Sequence, residues 1–508
     1  MLSLVSSTFA ILASCFYLNV LAHGAGGRSN AGNAFLLMPL HFNEDHYATD
    51  IEVGTPPQKI SVLFDTGSAD LWVQTANNPF CIGAAHEQEE VHGVAVTPYI
   101  DCNGLTIFDA NSSRTLQVLS NNMYINYVNT FVDGSWAIDR LIICDQDVSG
   151  MQFGVVRVSN TEMNGILGVG YERLEAVQGY AGATNVTYPN LPSTLKQRGV
   201  IQKVAYSVFL QATAESDGEV LFGAIDASKY IGNLHTVPVV NIRSPQQQPN
   251  SFHIMLQGMG LHDQALPAGR LCTSKSYPAL LDTGTNGMVV PSAVARCIAA
   301  ALNATFNEDK RVFKIECPTE DDEREFTFNF GELQLVAPLS NFLIPASDMG
   351  TEQCEVAIMP GESDTFTLGL PFLKAVYTVF NLEDNEISLA QANVKPQQPD
   401  IIPILEEVPG ARIDSRVSRP ATSCEARSPT ATAHEGPLAS NQSASGYELH
   451  HHSQAPIRRS SLVSRGSVAS KEPINFPDAS VVTATATARV TRTIAVTQCE
   501  QTCLTMIM

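Results

Sequence analysis

Positive charge is what this 508-residue chain has least of: 30 Lys and Arg stand against 51 Asp and Glu, for a formal charge of −21 at pH 7. Residues 401–508 hold nine acidic and ten basic side chains, so the whole deficit lies in the first 400 residues. An acidic body of that kind is a poor partner for nucleic acid or for an anionic membrane surface, and neither is expected. Membrane-length apolar runs are lacking too. The run from Phe9 to Leu21 is too short to span a bilayer, and its end, Val20-Leu21-Ala22, has the small residues of a signal-peptidase site. Residues 1–22 are therefore expected to be a signal peptide, and the product to be exported. Cys-x-x-Cys pairs, the usual mark of a zinc site, are absent, and His450-His451-His452 stands alone in a polar tail. Neither metal nor cofactor is expected. Ten of the eleven cysteines lie beyond the signal, which fits the disulfides of an oxidising compartment. Helical patterns are few, with Ser292–Ala301 the one clear candidate.

What the chain does have is one short pattern written twice. Val62-Leu63-Phe64 runs straight into Asp65-Thr66-Gly67-Ser68, followed by Ala69-Asp70-Leu71-Trp72-Val73. Farther on, Ala279-Leu280-Leu281 runs into Asp282-Thr283-Gly284-Thr285, with Val289-Val290-Pro291 beyond. Val, Leu and Phe favour a half-buried pleated surface and Asp-x-Gly favours a turn, so each copy puts a carboxylate at the end of a buried strand. One Asp-Thr-Gly is an ordinary surface turn. Two copies, each behind an apolar run and ahead of a hydroxyl residue, point to a pair that works together. An apolar stretch with glycines follows each copy, Gly165-Ile166-Leu167-Gly168-Val169-Gly170 and Phe366-Thr367-Leu368-Gly369-Leu370, so the outline is an internal duplication.

Hydrolysing a peptide in acid, without a metal or a nucleophilic side chain, needs one group to take a proton from water and another to give one to the carbonyl oxygen. Two carboxyls suffice. On the duplicated motifs, and on Ile51-Glu52-Val53-Gly54-Thr55-Pro56-Pro57-Gln58 ahead of the first, the chain resembles the pepsin-like aspartic proteases, most of all the secreted fungal yapsin type. The resemblance covers about residues 36–394. It implies an all-β, mainly antiparallel fold of two lobes with the active site in the cleft between them.

The resemblance also implies roles. Asp65 and Asp282 would be the catalytic pair. Thr66 and Thr283 would bond reciprocally across the lobes, Gly67 and Gly284 would leave backbone N–H groups free for the carboxylates, and Ser68 and Thr285 would bond their outer oxygens. Tyr127 would be the tyrosine of a flap over the cleft, bonded to Trp72, with Tyr124 a rival for that place. Two departures stand out: Val128-Asn129 follows Tyr127 where the family has Gly-Asp-Gly, one residue fewer, and Leu370 replaces a common aspartate. Cys81–Cys102 and Cys317–Cys354 would be disulfides, with the partners of Cys144, Cys272 and Cys297 open. The substrate would be a polypeptide bound as an extended strand, attacked by water, and the enzyme a monomer.

Composition divides the chain into the signal 1–22, a Gly/Ala/Asn-rich lead-in 23–38, an N-terminal lobe 39–212, a C-terminal lobe 213–394 and a Ser/Thr/Pro/Ala-rich tail 395–508 with too little apolar content for a core. That tail is expected to be disordered and dispensable, so that truncation after Val394 would leave activity intact. Sequons at Asn111, Asn185, Asn303 and Asn441 are candidate glycan sites. Arg489, Arg492 and Glu500 interrupt the last stretch, so no lipid-anchor signal is read there, and the expected location is extracellular, with the cell wall as an alternative. The dozen residues ahead of the first strand, with Arg28 their sole basic residue, leave no room for a cleft-filling prosegment, and activation without acid-triggered processing is expected. Two other classes fit less well: a catalytically inactive pepsin-like binding protein, and a wall-associated glycoprotein.

Overall fold

The strand that carries the first motif, Gln58–Asp65, is buried along its last four residues and ends on the carboxylate. The computed structural model describes residues 35–413, apart from 44, 77, 83–89, 92, 93, 96–98, 129, 180–186, 211–217, 244–246, 264, 265, 308–310, 320, 346–352 and 397. The signal, most of the lead-in, Asn185, Asn441 and the chain beyond 413 lie outside the described residues.

Gln58–Asp65 lies inside a ten-stranded sheet. Antiparallel to it runs His46–Val53, with Ala48 opposite Leu63, and parallel to it runs Gly165–Gly168, with Gly168 opposite Asp65. Gly165–Gly168 is flanked on its other side by Leu71–Gln74, antiparallel, which in turn lies parallel to Phe153–Ser159. The second half repeats this plan. Tyr277–Leu281, which leads into Asp282, runs parallel to Phe366–Leu368 with Leu281 opposite Leu368. Phe366–Leu368 is flanked by antiparallel Met288–Pro291, which lies parallel to Ile358–Gly361. In each half, therefore, the aspartate stands at the end of a motif strand, as its last residue in Asp65 and just past it in Asp282, the parallel partner ends at glycine, Gly168 or Gly369, in the same way, and the chain threads the same way.

A seven-stranded sheet joins the halves. Its order is Leu36–Pro39, Glu219–Phe222, Ala205–Phe209, Val376–Asn381, Glu386–Ala392, Tyr230–Pro238 and Arg412–Ile413. Strands from both sides of residue 212 share this sheet, so the two lobes meet in a common floor and not at a linker. A row of aromatics crosses it: Phe64 meets Tyr206, Tyr206 stacks on Phe380 at 5.1 Å, Phe380 meets Phe252 at 4.6 Å and Phe252 meets Tyr171 at 5.0 Å. Ring contacts of this kind add to area burial and fix relative placement. Because Leu281 N–H also bonds Phe252 O at 3.1 Å, the row ties the strand behind Asp65 to the strand behind Asp282.

Helices are subordinate among the described residues. Ser292–Ala301 is one, buried through Val294, Ala295 and Ile298, and disulfide Cys272–Cys297 pins it to the strand Leu266–Thr273. Cys81–Cys102 closes a loop after the first motif, and Cys317–Cys354 joins the chain just past the strand Val312–Glu316 to the strand Gln353–Val356. Cys144 is buried.

Two boundaries drawn from composition move. Leu36–Pro39, placed mostly in the lead-in, is an edge strand paired with Glu219–Phe222. Order also continues past Val394: Ile401–Pro403 pairs antiparallel with Ala224–Asp226, and Arg412–Ile413 runs parallel to Tyr230–Pro238. Ile404 and Val408 are buried in a cluster with Phe209, Ile225, Leu234 and Tyr377. Averaging over a hundred polar residues conceals the short apolar run Ile401-Ile402-Pro403-Ile404-Leu405, which is enough for one strand and an anchor.

Candidate active site

The turns after the two motif strands face each other and bond symmetrically. Thr66 N–H donates to Thr283 Oγ1 at 3.0 Å and Thr283 N–H donates to Thr66 Oγ1 at 3.0 Å. The hydroxyls then reach one residue behind the opposite aspartate: Thr66 Oγ1–H to Leu281 O at 3.0 Å, and Thr283 Oγ1–H to Phe64 O at 2.8 Å. All four bonds are buried, where an unmade hydrogen bond costs most, so the two turns hold one relative position.

That position sets the carboxyls against each other. Gly67 N–H donates to Asp65 Oδ1 at 2.7 Å and Gly284 N–H to Asp282 Oδ1 at 2.9 Å. Ser68 Oγ–H donates to Asp65 Oδ2, and Thr285 Oγ1–H to Asp282 Oδ2 at 2.6 Å. The inner oxygens are thus held by amides and the outer ones by hydroxyls, in mirror fashion. Glycine is required at both turns for space: a Cβ on Gly67 would stand 2.5 Å from Asp282 Oδ1, and one on Gly284 2.6 Å from Asp65 Oδ1.

Both aspartates are buried, at 0% and 1% exposure. Burial pushes the Asp65 carboxyl well up from its ordinary value, and the charge of Asp282 pushes it further. Burial raises Asp282 as well, opposed by its bonds to Thr285 and to Asp65. Two such groups titrate as a pair, and the pair keeps a proton into a range where a free aspartate has lost it.

The strands Gln117–Asn126 and Phe131–Ile138 form a hairpin, in which Asn126 pairs with Phe131. Tyr127 N–H bonds Thr130 O at 2.7 Å. Trp72 Nε1–H donates to Tyr127 Oη at 2.8 Å, and both side chains are buried. Tyr124, the rival, packs on Phe131 at 6.1 Å instead. Leu370 is buried at the start of the short helix Leu370–Leu373. The sequons at Asn111 and Asn303 are exposed. A separate cavity of about 690 Å³, lined by Tyr171, Asn190 and Glu383 among others, holds neither motif aspartate.

A second group of carboxyls has no counterpart in the sequence patterns. Asp70, five residues after Asp65, is 3% exposed and accepts from Tyr188 Oη–H at 2.5 Å and from Ala176 N–H at 2.9 Å. Glu175, 0% exposed, accepts Tyr188 N–H at 3.0 Å on Oε2, while its Oε1 has no partner. Asp70 is visible as a carboxylate beside the motif, but nothing local connects it to residues more than a hundred positions away. Burial pushes Asp70 up to about 6 and Glu175 up to about 10. In the folded chain both stay protonated where the unfolded chain ionises. Each therefore stabilises the fold fully below about pH 4 and loses that contribution as pH rises, Asp70 up to about 6 and Glu175 up to about 10. Thermal unfolding should accordingly move to lower temperature between pH 4 and pH 7. Glu175→Gln should make that slope shallower, read by circular dichroism melts in matched buffers.

Comparison with known proteins gives the family. The family model for eukaryotic aspartyl proteases matches residues 46–392. Barrierpepsin of Saccharomyces cerevisiae is 37% identical over 399 residues, which cover 77% of this chain and 66% of barrierpepsin. The aspartic proteinase yapsin-3 of the same yeast is 36% identical over 395 residues, covering 76% and 73%. A probable aspartic-type endopeptidase opsB of Aspergillus fumigatus is 30% identical over 390 residues, covering 75% of each chain. With the duplicated motifs, the shared sheet and these matches together, the chain belongs to the eukaryotic aspartyl proteases and is by class an aspartic-type endopeptidase.

Proposed function

We propose that this is a secreted endopeptidase that works in acid, with Asp65 and Asp282 sharing one proton and activating a water between them. The observation that carries the reading is the mirrored hydrogen bonding of the two carboxyls, inner oxygens to Gly67 and Gly284 amides and outer oxygens to Ser68 and Thr285 hydroxyls. Sharing of one proton is the general property of aspartic-protease dyads. The ionised carboxylate takes a proton from water as its oxygen bonds the peptide carbon, and the protonated partner gives its proton to the carbonyl oxygen. The resulting diol collapses as one of its hydroxyls returns a proton to the partner carboxylate, the C–N bond breaks, and the leaving amine takes up the proton first drawn from water, so that the dyad again holds one proton. Fixed amides and hydroxyls hold the carboxyls for this without reorganising. The substrate lies as an extended strand beneath the flap, and export rests on the signal-like residues 1–22.

Activity should peak in acid, fall at low pH when the second carboxyl protonates, and fall toward neutrality when the shared proton is lost. The test is hydrolysis of a peptide substrate between pH 2 and 8, with and without a statine-containing peptide whose tetrahedral carbinol mimics the diol. An optimum near pH 8 that ignores the statine would overturn the reading.

The flap makes a smaller claim. Tyr127→Phe removes the Trp72 bond but keeps the ring, and one buried hydrogen bond is worth about 0.5–1.5 kcal/mol, so kcat/KM should fall by about 2–10-fold. An equal loss in Tyr124→Phe would argue that Tyr127 has no special place.

A further inference from the structure

We propose that the cavity of about 690 Å³ beside Tyr171 and Asn190 seats the first sugars of an N-linked glycan carried by Asn185, and that this glycan braces the folded body. The proposal rests on the reading that the chain is exported, and not on the chemistry of the dyad.

The cavity is lined by Tyr171, from the chain just past Gly165–Gly168, by Asn190 and Ser193 at the start of the helix Leu191–Gln197, and by Glu383 and Asn385 in the turn after Val376–Asn381. Two of these residues carry polar atoms that the fold leaves unused. Tyr171 is 7% exposed and Asn190 3%, and neither Tyr171 Oη nor Asn190 Oδ1 has a hydrogen-bond partner among the described residues. Asn190 stands directly before the helix, where an asparagine oxygen ordinarily caps the first turn, but it makes no such bond and its Nδ2–H donates to Gly170 O at 2.8 Å instead. A buried polar atom without a partner destabilises a fold, so these are the two positions at which an added hydroxyl contributes most.

The size and lining of the cavity suit a sugar. About 690 Å³ falls within the range of about 300–1,000 Å³ typical of small-molecule sites, and is far above the share of about 30 Å³ that one water takes. Hydroxyls and side-chain amides, which each donate and accept, predominate among the polar groups, and sugar hydroxyls do both as well. Charge is balanced. Glu172 and Arg173 adjoin in sequence, and Glu383 is held by the Lys196 ammonium and by Val204 N–H at 2.9 Å, so a neutral polyhydroxyl fits better than an ion.

The source of the sugar adjoins the cavity in sequence. Thr187, which also lines it, is the hydroxyl residue of the sequon Asn185-Val186-Thr187, and two residues of chain span at most about 7 Å. A glycan on Asn185 therefore starts within reach of the cavity, whereas neither Asn111 nor Asn303 lines it. Tyr171 is the end ring of the aromatic row, 5.0 Å from Phe252, so a sugar bonded to its hydroxyl would steady that row from its end.

The test uses full-length protein secreted from a eukaryotic host, with the occupancy of each sequon read by mass spectrometry. Asn185 should be glycosylated, and peptide-N-glycosidase should release its glycan from the folded protein more slowly than those of the exposed Asn111 and Asn303, a difference that denaturation should abolish. Asn185→Gln should melt about 2–5 °C below wild type, while Asn111→Gln melts like it. Tyr171→Phe should change sign with the glycan. It should lower melting in the glycosylated chain, where the hydroxyl has a partner, and should leave it level or raise it in Asn185→Gln, where the lone hydroxyl is a burden. Equal melting of Asn185→Gln and wild type, or equal release from the three sites in the folded protein, would overturn the proposal and assign the cavity to water or to the chain itself. If Asn185→Gln is not secreted, the protection of the wild-type glycan and the loss in glycosylated Tyr171→Phe decide. Glycans on Asn111 and Asn303 with Asn185 bare would sink this proposal alone, whereas a chain bare at every sequon would take the export reading with it.

Discussion

Replacing either Asp65 or Asp282 by asparagine should lower kcat/KM by about 10³-fold or more, the range lost when a positioned general acid or base is removed. Asparagine fits the space, can still accept the amide of Gly67 or Gly284, and leaves the Thr66–Thr283 bonds in place, so secretion and the far-ultraviolet spectrum should be close to wild type. What it cannot do is exchange a proton. The loss should be equally severe at the two positions, because each carboxyl alternates between taking and giving. Residual activity within tenfold of wild type in either variant, measured on protein freed of contaminating protease, would remove that residue from the mechanism. Gly67→Ala extends the test without touching a carboxyl: its methyl would intrude on Asp282 Oδ1, and turnover should collapse although no titrating group has changed.

Truncation is the second large effect, and here the structure reverses what composition suggests. Cutting after Val394 removes Ile404 and Val408 from a buried cluster and strips a strand partner from Ala224–Asp226. Fully burying two such side chains is worth about 3–6 kcal/mol. The cut also removes the Glu406 carbonyl that bonds the buried Lys203 ammonium, leaving Asp384, at 2.5 Å, to hold that charge. A chain ending at 394 should therefore be secreted poorly or melt at markedly lower temperature, while one ending at 413 should melt like the full chain. Equal melting of the two would show that the strap adds nothing to the fold.

Much of this site is legible in the order of the amino acids alone. The apolar run into Asp-Thr-Gly is a local signal, since strand, turn and carboxylate follow from residues adjacent in sequence, and duplication makes it specific. Thr66 and Thr283 are legible for the same reason. The Tyr127–Trp72 bond needs the family pattern to narrow the choice to two tyrosines, and geometry selects between them. Asp70, Glu175 and Tyr188 are not legible, because a buried carboxyl is recognised by its partners, and these lie 105 to 118 residues along the chain from Asp70. The strap at 395–413 is hidden for the opposite reason: five apolar residues are diluted by the polar sequence around them.

The seven-stranded floor has its outermost strands at the two ends of the described chain, Leu36–Pro39 on one edge and Arg412–Ile413 on the other. A tensile load applied to either end would be borne first by these short strands, four residues and two residues long, and not by the motif strands, which belong to other sheets. Peeling Arg412–Ile413 from Tyr230–Pro238 would break only the last pairing of this sheet, whereas the strands leading to the facing carboxyls belong to other sheets.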